Sequence, residues 1–188
     1  MSDGKTTADA YRTLDELNAG LPDIERSPKD GGELRLIVRR PRVGKREVVT
    51  EAQLDATVGL VGDTWSTRKS RWGKPPHPDT QINIMNARAV ALVAGSDDRW
   101  PLAGDQLYID LDLSDDNLPA GTQLTIGTAV IEVTAEPHTG CRKFSERFGV
   151  DATKFVNSKD GRRLHLRGIN AKVVQPGTIR VGDRVRKR

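Results

Sequence analysis

Many short apolar runs, each bounded by turn-forming residues, are the feature that most limits the folds open to this chain. Runs of this length that are rich in branched residues predict β-strands. They make a set of at least seven short strands, at Glu33–Arg40, Arg46–Val49, Gln81–Met85, Leu107–Leu113, Gln123–Ile126, Thr128–Thr134, Leu164–Leu166, Ala171–Val174 and Val185–Lys187. Because closing a sheet on itself removes its exposed edges, we predict a mostly β (α+β) fold built as a closed or nearly closed β-barrel.

A few short helices accompany these strands. The predicted helices cover Ala8–Ala19, Glu51–Gly59, Ala87–Ala94 and Cys141–Phe148. Gly20 is expected to stop the first helix, and Asn86 is expected to cap the third. We predict two regions: residues 1–32 form an N-terminal helix and a linker, and residues 33–188 form a single barrel domain.

Length and composition exclude several classes of protein. No apolar stretch approaches the roughly 20 residues that span a bilayer, and the N-terminus lacks the basic start and apolar middle of a secretion signal. The single cysteine cannot form an internal disulfide, so nothing in the sequence requires an oxidising compartment. The cytoplasm is the expected location, and no membrane partner is expected.

Positive charge is concentrated at the C-terminal end. The net charge is +4, yet Arg162–Arg188 contains nine basic residues and one acidic residue, Asp183. Such a region suits an anionic partner, which could be a phosphate-bearing small molecule or a nucleic acid. A solvated basic tail is the alternative interpretation.

Cys141 is the candidate chemical centre because its predicted place is the first turn of a helix. The helix dipole and the adjacent Arg142 and Lys143 bring positive charge to the thiol, which favours the thiolate that attacks sulfur or binds a metal. Gly140 would let a ligand approach the backbone closely. A buried, inert cysteine is the structural alternative.

The three histidines do not have the spacing of a zinc site. His77, His138 and His165 lie far apart in the sequence. His138 is near enough to Cys141 to tune the protonation of its thiol, so it is the second catalytic candidate. His165 is expected to have a solvent-facing or hydrogen-bonded structural role.

Three Gly–Asp pairs recur along the chain, at Gly62–Asp63, Gly104–Asp105 and Gly182–Asp183. The last two predict tight turns in which the aspartate accepts backbone amides. The first differs because it opens a long polar segment, Trp65–Thr80, and segments of this length inside a compact domain are often functional.

This polar segment combines basic and aromatic side chains. Trp65 or Trp72 could offer a flat surface to a ring, while the cations could clamp a phosphate; the cations are Arg68, Lys69, Arg71 and Lys74. The same composition suits a single-stranded nucleic acid, so a non-catalytic module that binds nucleic acid stays open as an alternative. The sequence has no P-loop, no dinucleotide fingerprint and no Gly-x-Ser-x-Gly elbow.

Seven short segments occur in an order that is typical of one family. They are Gly59–Asp63, Asp116–Leu118, Leu124–Gly127, Val130–Thr134, Gly140–Phe144, Leu166–Ala171 and Gly177–Asp183. With its cysteine between the fourth and sixth segments, the chain resembles the MOSC domain from about Gly59 to Arg188. This module occurs at the C-terminus of molybdenum-cofactor sulfurases and in free-standing bacterial proteins.

The resemblance implies a β-barrel with peripheral helices and a site at Cys141. In some relatives the equivalent cysteine carries sulfur as a persulfide, and in reductase relatives it ligates molybdenum held by a pterin cofactor. Both roles stay open here, the second as a small reductase of N-oxygenated compounds. Binding of the cofactor, including its phosphate, is assigned by extrapolation to Arg68, Arg71, Arg142, Lys143, Arg167, Asp63 and Asn117.

The resemblance also implies protein partners. They would be a cysteine desulfurase, a redox partner or a molybdoenzyme, and a barrel that only docks to a molybdoenzyme is a further alternative. The pyridoxal-phosphate domain that generates sulfur in fused sulfurases is expected to be absent from these 188 residues.

Overall fold

Eleven strands and four α-helices make up the described part of the protein, which in this computed structural model is residues 11–69 and 73–188. The helices are α1 (Leu14–Glu25), α2 (Ala87–Ala94), α3 (Arg142–Asn157) and α4 (Lys159–Arg163). The strands are β1 (Gly32–Arg39), β2 (Glu47–Val49), β3 (Glu51–Asp55), β4 (Gly59–Leu60), β5 (Ile82–Asn86), β6 (Leu107–Asp110), β7 (Gln123–Ile126), β8 (Ala129–Val133), β9 (Ile169–Gln175), β10 (Gly177–Arg180) and β11 (Arg184–Lys187). Within these residues, no helix is both long and apolar enough to cross a membrane.

Seven strands close into a mixed β-barrel. Their order is β11-β7-β8-β9-β5-β6-β1, and β1 then pairs with β11, where Gly32 lies opposite Val185. Strands β5 and β6 run parallel, whereas the other neighbours in the barrel run antiparallel. Strand β2 extends the sheet beyond β1, and β10, β3 and β4 form a separate small sheet. The predicted β-barrel with a few short helices is confirmed.

The barrel wall is buried on its inner face and, where the helices cover it, also on its outer face. One apolar cluster, which includes Leu34 and Ile84, fills the barrel, and a second, which includes Met85 and Tyr108, lies between the wall and the helices. Tyr108 belongs to this second cluster and is fully buried. Its hydroxyl donates a hydrogen bond to the Trp100 carbonyl at 2.9 Å, which satisfies the buried phenol.

The first helix differs from its predicted span, Ala8–Ala19. It runs over the α1 range instead, and part of the predicted start lies outside the described residues. Gly20 does not end it. A Cβ at this position would lie 2.5 Å from Leu92 Cδ1, so glycine here lets α1 pack closely on α2. Burial of Leu17 and Ile24 offsets the cost of Pro22 inside the helix.

Other local predictions are confirmed. Asn86 caps α2, since its Oδ1 accepts hydrogen bonds from two backbone amides at 2.8 and 3.0 Å, and Gly95 ends that helix. Gly127 turns the chain between β7 and β8. Cys141 stands immediately before α3, although this helix continues to Asn157, beyond its predicted end, across a break at Gly149.

Two predicted elements are wrong. Glu51–Gly59 forms β3 and β4 instead of a helix, because Ala52 and Leu54 alternate with more exposed neighbours and pack into the barrel core. Leu164–Leu166 is a turn after α4 instead of a strand, and His165 has a positive φ of 49° there. Strand β10, which pairs with β3, was not predicted.

Replacing Leu34 by Ala is expected to lower the free energy of unfolding by about 2–5 kcal/mol, because the side chain is fully buried in the barrel interior. Urea denaturation measures the loss. Val43→Ala is the control, since Val43 is 97% exposed and its truncation is expected to cost less than about 0.5 kcal/mol. Equal stability of the two variants would contradict the position given to Leu34.

Candidate functional site

Cys141 lies at the positive end of the α3 dipole with its side chain exposed. It occupies the N-cap position, but its side chain makes no capping hydrogen bond. The preceding residue is held in place, because the Gly140 amide donates to Asn157 Oδ1 at 3.1 Å. The thiol predicted from sequence to start a helix is therefore open to a ligand.

A buried cluster of three charged or ionisable side chains includes His138, three residues before this cysteine. Asp105, which is fully buried, accepts a hydrogen bond from Arg167 Nη1 at 2.7 Å and lies 2.7 Å from His138 Nε2. Arg167 also donates to the Ala103 carbonyl at 3.1 Å. We call Asp105, His138 and Arg167 the Asp105 cluster; it brings together two residues predicted for the site and one that was not.

Opposing effects set the ionisation of this cluster. Burial raises the pKa of Asp105, but the Arg167 guanidinium and His138 outweigh it, so the pKa is lowered from its usual 3.8. Burial, followed by the charge of Arg167, lowers the pKa of His138 from its usual 6.5. At neutral pH the cluster therefore combines a carboxylate, a guanidinium and a neutral imidazole.

The tautomer of His138 follows from its neighbour. An ionised carboxylate only accepts hydrogen bonds, so Nε2 of the neutral imidazole carries the proton that faces Asp105. Nδ1 is then an acceptor, and within the described residues no hydrogen bond reaches it. His138 can accept a hydrogen bond from a ligand that binds beside Cys141.

A second buried ion pair supports the same end of the barrel. Arg40 donates to both carboxylate oxygens of Asp63, with distances of 2.8 and 2.9 Å, and its Nη1 reaches the Gly104 carbonyl at 2.9 Å. Asp63 also accepts the backbone amide of Trp65. Asp63, a cofactor-binding candidate, is thus engaged in anchoring the polar segment that follows it.

Two further arginines reach Gly104, and a third, Arg68, lies within electrostatic range of one of them. A Cβ built on Gly104 would lie 3.5 Å from Arg147 Nη1 and 3.7 Å from Arg46 Nη2. Burial and then the charges of Arg147 and Arg40 lower the pKa of Arg46, and burial and then Arg40 lower that of Arg68. We call Arg46, Arg68 and Arg147 the arginine cluster; within the described residues, none of its members forms an ion pair.

Arg167 links the Asp105 cluster to α3. Its guanidinium carbon lies 5.0 Å from the centre of the Phe144 ring, a cation–π distance. Phe144 is buried in the first turn of α3, three residues after Cys141. The arginine and Asp105 clusters and the start of α3 are therefore continuous, with Gly104–Asp105 between the two clusters.

The remaining predicted residues fall in different places. Arg142 pairs with Glu146 at 2.8 Å, and Lys143 is exposed. Asn117 is buried and bonds Lys29, Asp112 and Lys187, none of which belongs to either cluster. Arg71 and Trp72 lie outside the described residues.

The structure also tests one prediction about a tryptophan and one about a histidine. Trp65 is only 7% exposed, and its indole N–H donates to Thr80 Oγ1, so it is packed into the fold and does not offer a flat surface to a ring. His165 lies 2.8 Å from Asp115, as expected of a hydrogen-bonded structural histidine.

Sequence reasoning missed several residues of the site. Asp105 was predicted to accept backbone amides in a tight turn, which is wrong, because its two carboxylate oxygens contact Arg167 and His138. The tight turn predicted at Asp183 is confirmed. Arg40, Arg46 and Arg147 were not considered. The one sequence signal was the Gly104–Asp105 pair, whose glycine has a φ of +93°.

A family model, the MOSC domain, matches residues 76–186, which is more than half of the chain. The chain belongs to the MOSC domain family. The match includes Asp105, His138, Cys141 and Arg167. Residues Arg40, Arg46 and Arg68 precede it.

Solved structures share the MOSC fold at low identity. The YuaD protein from Bacillus subtilis is 16% identical with a TM-score of 0.63, over 82% of this chain and 93% of that one. YiiM from Escherichia coli is 20% identical with a TM-score of 0.53, over 83% and 69% of the two chains. YiiM from Geobacillus stearothermophilus is 15% identical with a TM-score of 0.51, over 85% and 73%. No curated protein matches the chain significantly.

The lowered pKa of His138 predicts a pH dependence of stability. Because the unfolded chain binds this proton more readily, stability is complete above the unfolded-state pKa of about 6.5 and is lost as the pH falls below it. The urea midpoint of the wild type should therefore fall between about pH 7 and pH 5 more steeply than that of His138→Gln.

His77→Gln is the matched control, because the His77 side chain is 57% exposed. This variant should keep the wild-type slope. An unchanged slope in His138→Gln would show that the buried imidazole is not the group responsible.

Proposed function

We propose that this MOSC-family protein binds a molybdenum–pterin cofactor, with the Cys141 thiolate as the protein ligand of the metal. The observation that carries the proposal is the exposed Cys141 thiol, which makes no capping bond and follows His138 of the buried Asp105 cluster by three residues. When bound, such a cofactor supplies a metal that changes oxidation state and so could reduce a small N-oxygenated compound.

Unsatisfied groups in the Asp105 cluster and the arginine cluster support an anionic, hydrogen-bonding ligand. Nε of Arg167 and Nε of Arg46 are buried, and neither has a hydrogen-bond partner within the described residues. Buried donors of this kind are costly unless a ligand or water completes them. A cofactor with a phosphate group and ring heteroatoms offers both negative charge and acceptors, so the residues fit the group.

The chain's own residues have separable roles in this proposal. Cys141 supplies the thiolate, and Arg68 and Arg167, predicted from sequence, contribute positive charge. Asp105 holds His138 in one tautomer, which leaves Nδ1 to accept a hydrogen bond from the ligand or substrate. Lys143 and Arg142 stay candidates at the exposed start of α3.

Sulfur transfer is the second candidate, and the exposure of the same thiol favours it. The Cys141 thiolate would attack the outer sulfur of a donor's persulfide, such as that of a cysteine desulfurase. A new S–S bond then forms on Cys141, while the original S–S bond breaks and the donor leaves as its thiolate. No net oxidant is needed, because the persulfide sulfur is only passed on.

The test is the molybdenum content of the purified protein from a host that makes the cofactor. Wild type is expected to contain near-stoichiometric molybdenum, and Cys141→Ser is expected to lose most of it, since a hydroxyl is a poor replacement for a soft thiolate ligand. Lys154→Gln is the control on the same helix, with a side chain that is 62% exposed and paired with Asp151.

Cyanide-releasable sulfur separates the two candidates. If the wild type contains releasable sulfur but no molybdenum, and Cys141→Ser loses that sulfur, sulfur transfer replaces cofactor binding as the proposed function. Neither molybdenum nor sulfur in the wild type would overturn both proposals.

A further inference from the structure

We propose that Arg46 and Arg147, supported by the nearby charge of Arg68, form an oxyanion site over Gly104 that binds a phosphate group. The identity of the molecule that carries the phosphate rests on the proposed function, whereas the site itself does not. It differs from the set predicted from sequence, with which it shares only Arg68.

Three separate elements supply the arginines. Arg46 precedes β2, Arg68 lies in the polar segment after Asp63, and Arg147 lies on α3. Two of the guanidinium groups reach within 3.5 and 3.7 Å of the place where a Cβ of residue 104 would be. The glycine therefore leaves open a space that these cations face.

The members of this cluster have no ion-pair partner in the described residues, unlike their neighbours, although the Asp63 carboxylate lies within electrostatic range of Arg68. Arg40 is paired with Asp63 at 2.8 Å, and Arg167 is paired with Asp105 at 2.7 Å. Arg46, Arg68 and Arg147 have no ion pair in residues 11–69 and 73–188, although Arg46 is repelled by Arg147, Arg40 and Arg68. Like charges held together at a partly buried place are unfavourable until an anion joins them.

Unused donors point to the same ligand chemistry. Nε of Arg46 is buried and has no partner in the described residues, while its Nη1 donates to the Lys45 carbonyl at 2.9 Å. Arg147 Nη1 donates to the Leu102 carbonyl, which orients its guanidinium beside Gly104. Planar guanidinium groups bind phosphate oxygens through paired hydrogen bonds, so a dianionic phosphate suits this cluster better than chloride does.

The oxyanion site and Cys141 are connected through α3 and the Asp105 cluster. Arg147 follows Cys141 by six residues on α3, a rise of about 9 Å along the helix. Asp105, next to Gly104, holds His138, which lies three residues before Cys141. A ligand with a phosphate at one end and a group for the thiol at the other could therefore contact both.

Calorimetric titration with inorganic phosphate tests the site, using protein from a host that lacks the cofactor. Titration with sodium chloride at equal ionic strength is the control for charge screening. Wild type should bind phosphate. Arg46→Gln and Arg147→Gln should each weaken binding at least about tenfold, as expected for the loss of a charge-assisted hydrogen bond. Arg162→Gln is the matched control, because Arg162 is exposed and lies on α4, away from Gly104.

Thermal melting without phosphate separates a binding role from a structural one. Removing one of several like charges should leave the melting temperature of Arg46→Gln unchanged or higher. No phosphate binding by the wild type, or equal binding by Arg46→Gln, Arg147→Gln and Arg162→Gln, would overturn the proposal.

Two further measurements identify the source of the phosphate and separate the oxyanion site from the proposed function. If molybdenum-loaded protein no longer binds inorganic phosphate, the cofactor's own phosphate occupies the site. If the loaded protein still binds inorganic phosphate, the site takes free phosphate. Both results support an oxyanion site. Cys141→Ser should bind phosphate like the wild type. If the protein binds phosphate but no preparation of it contains molybdenum, the oxyanion site is retained and the proposed function is rejected.

Discussion

The buried carboxylate of Asp105 is the interaction on which the arrangement of the site depends. A fully buried carboxylate is stable only when opposite charge and hydrogen bonds surround it. Asp105 meets this need with Arg167 from the segment before β9 and His138 from the segment after β8. The adjacent Gly104 carbonyl accepts from Arg40 at the end of β1. Three segments that are distant in sequence are thereby joined at one end of the barrel.

Closure of the barrel makes this meeting possible. The pairing of β1 with both β6 and β11 ends the sheet on itself, so the segments that leave β1, β8 and β9 cannot move apart independently. Because apolar side chains fill the barrel and the wall beneath the helices, the polar groups of the site collect in the connections between strands. The start of α3 lies over the same end, since Phe144 packs against the Arg167 guanidinium.

Charge pairing divides the cations of this region into two kinds. Arg40 and Arg167 have buried carboxylate partners and act as supports, whereas Arg46, Arg68 and Arg147 have none within the described residues. The supports position His138 and the polar segment, and the cluster without ion pairs is the oxyanion site that we propose. This division assigns different roles to arginines that the sequence presents as equivalent.

Features that depend on neighbouring residues were predictable. Asn86 as a cap, Gly127 as a turn and Cys141 at the start of a helix each involve contacts within a few positions. The helix predicted at Glu51–Gly59 is wrong because β3 pairs with β10, which is distant in sequence.

The sequence by itself therefore determined the barrel class, most strand positions and the candidate thiol, through periodicity and turn chemistry. Only the tertiary structure decided which charges are paired, because Arg46, Gly104 and Arg147 meet through closure of the barrel and packing of α3, not through any local pattern.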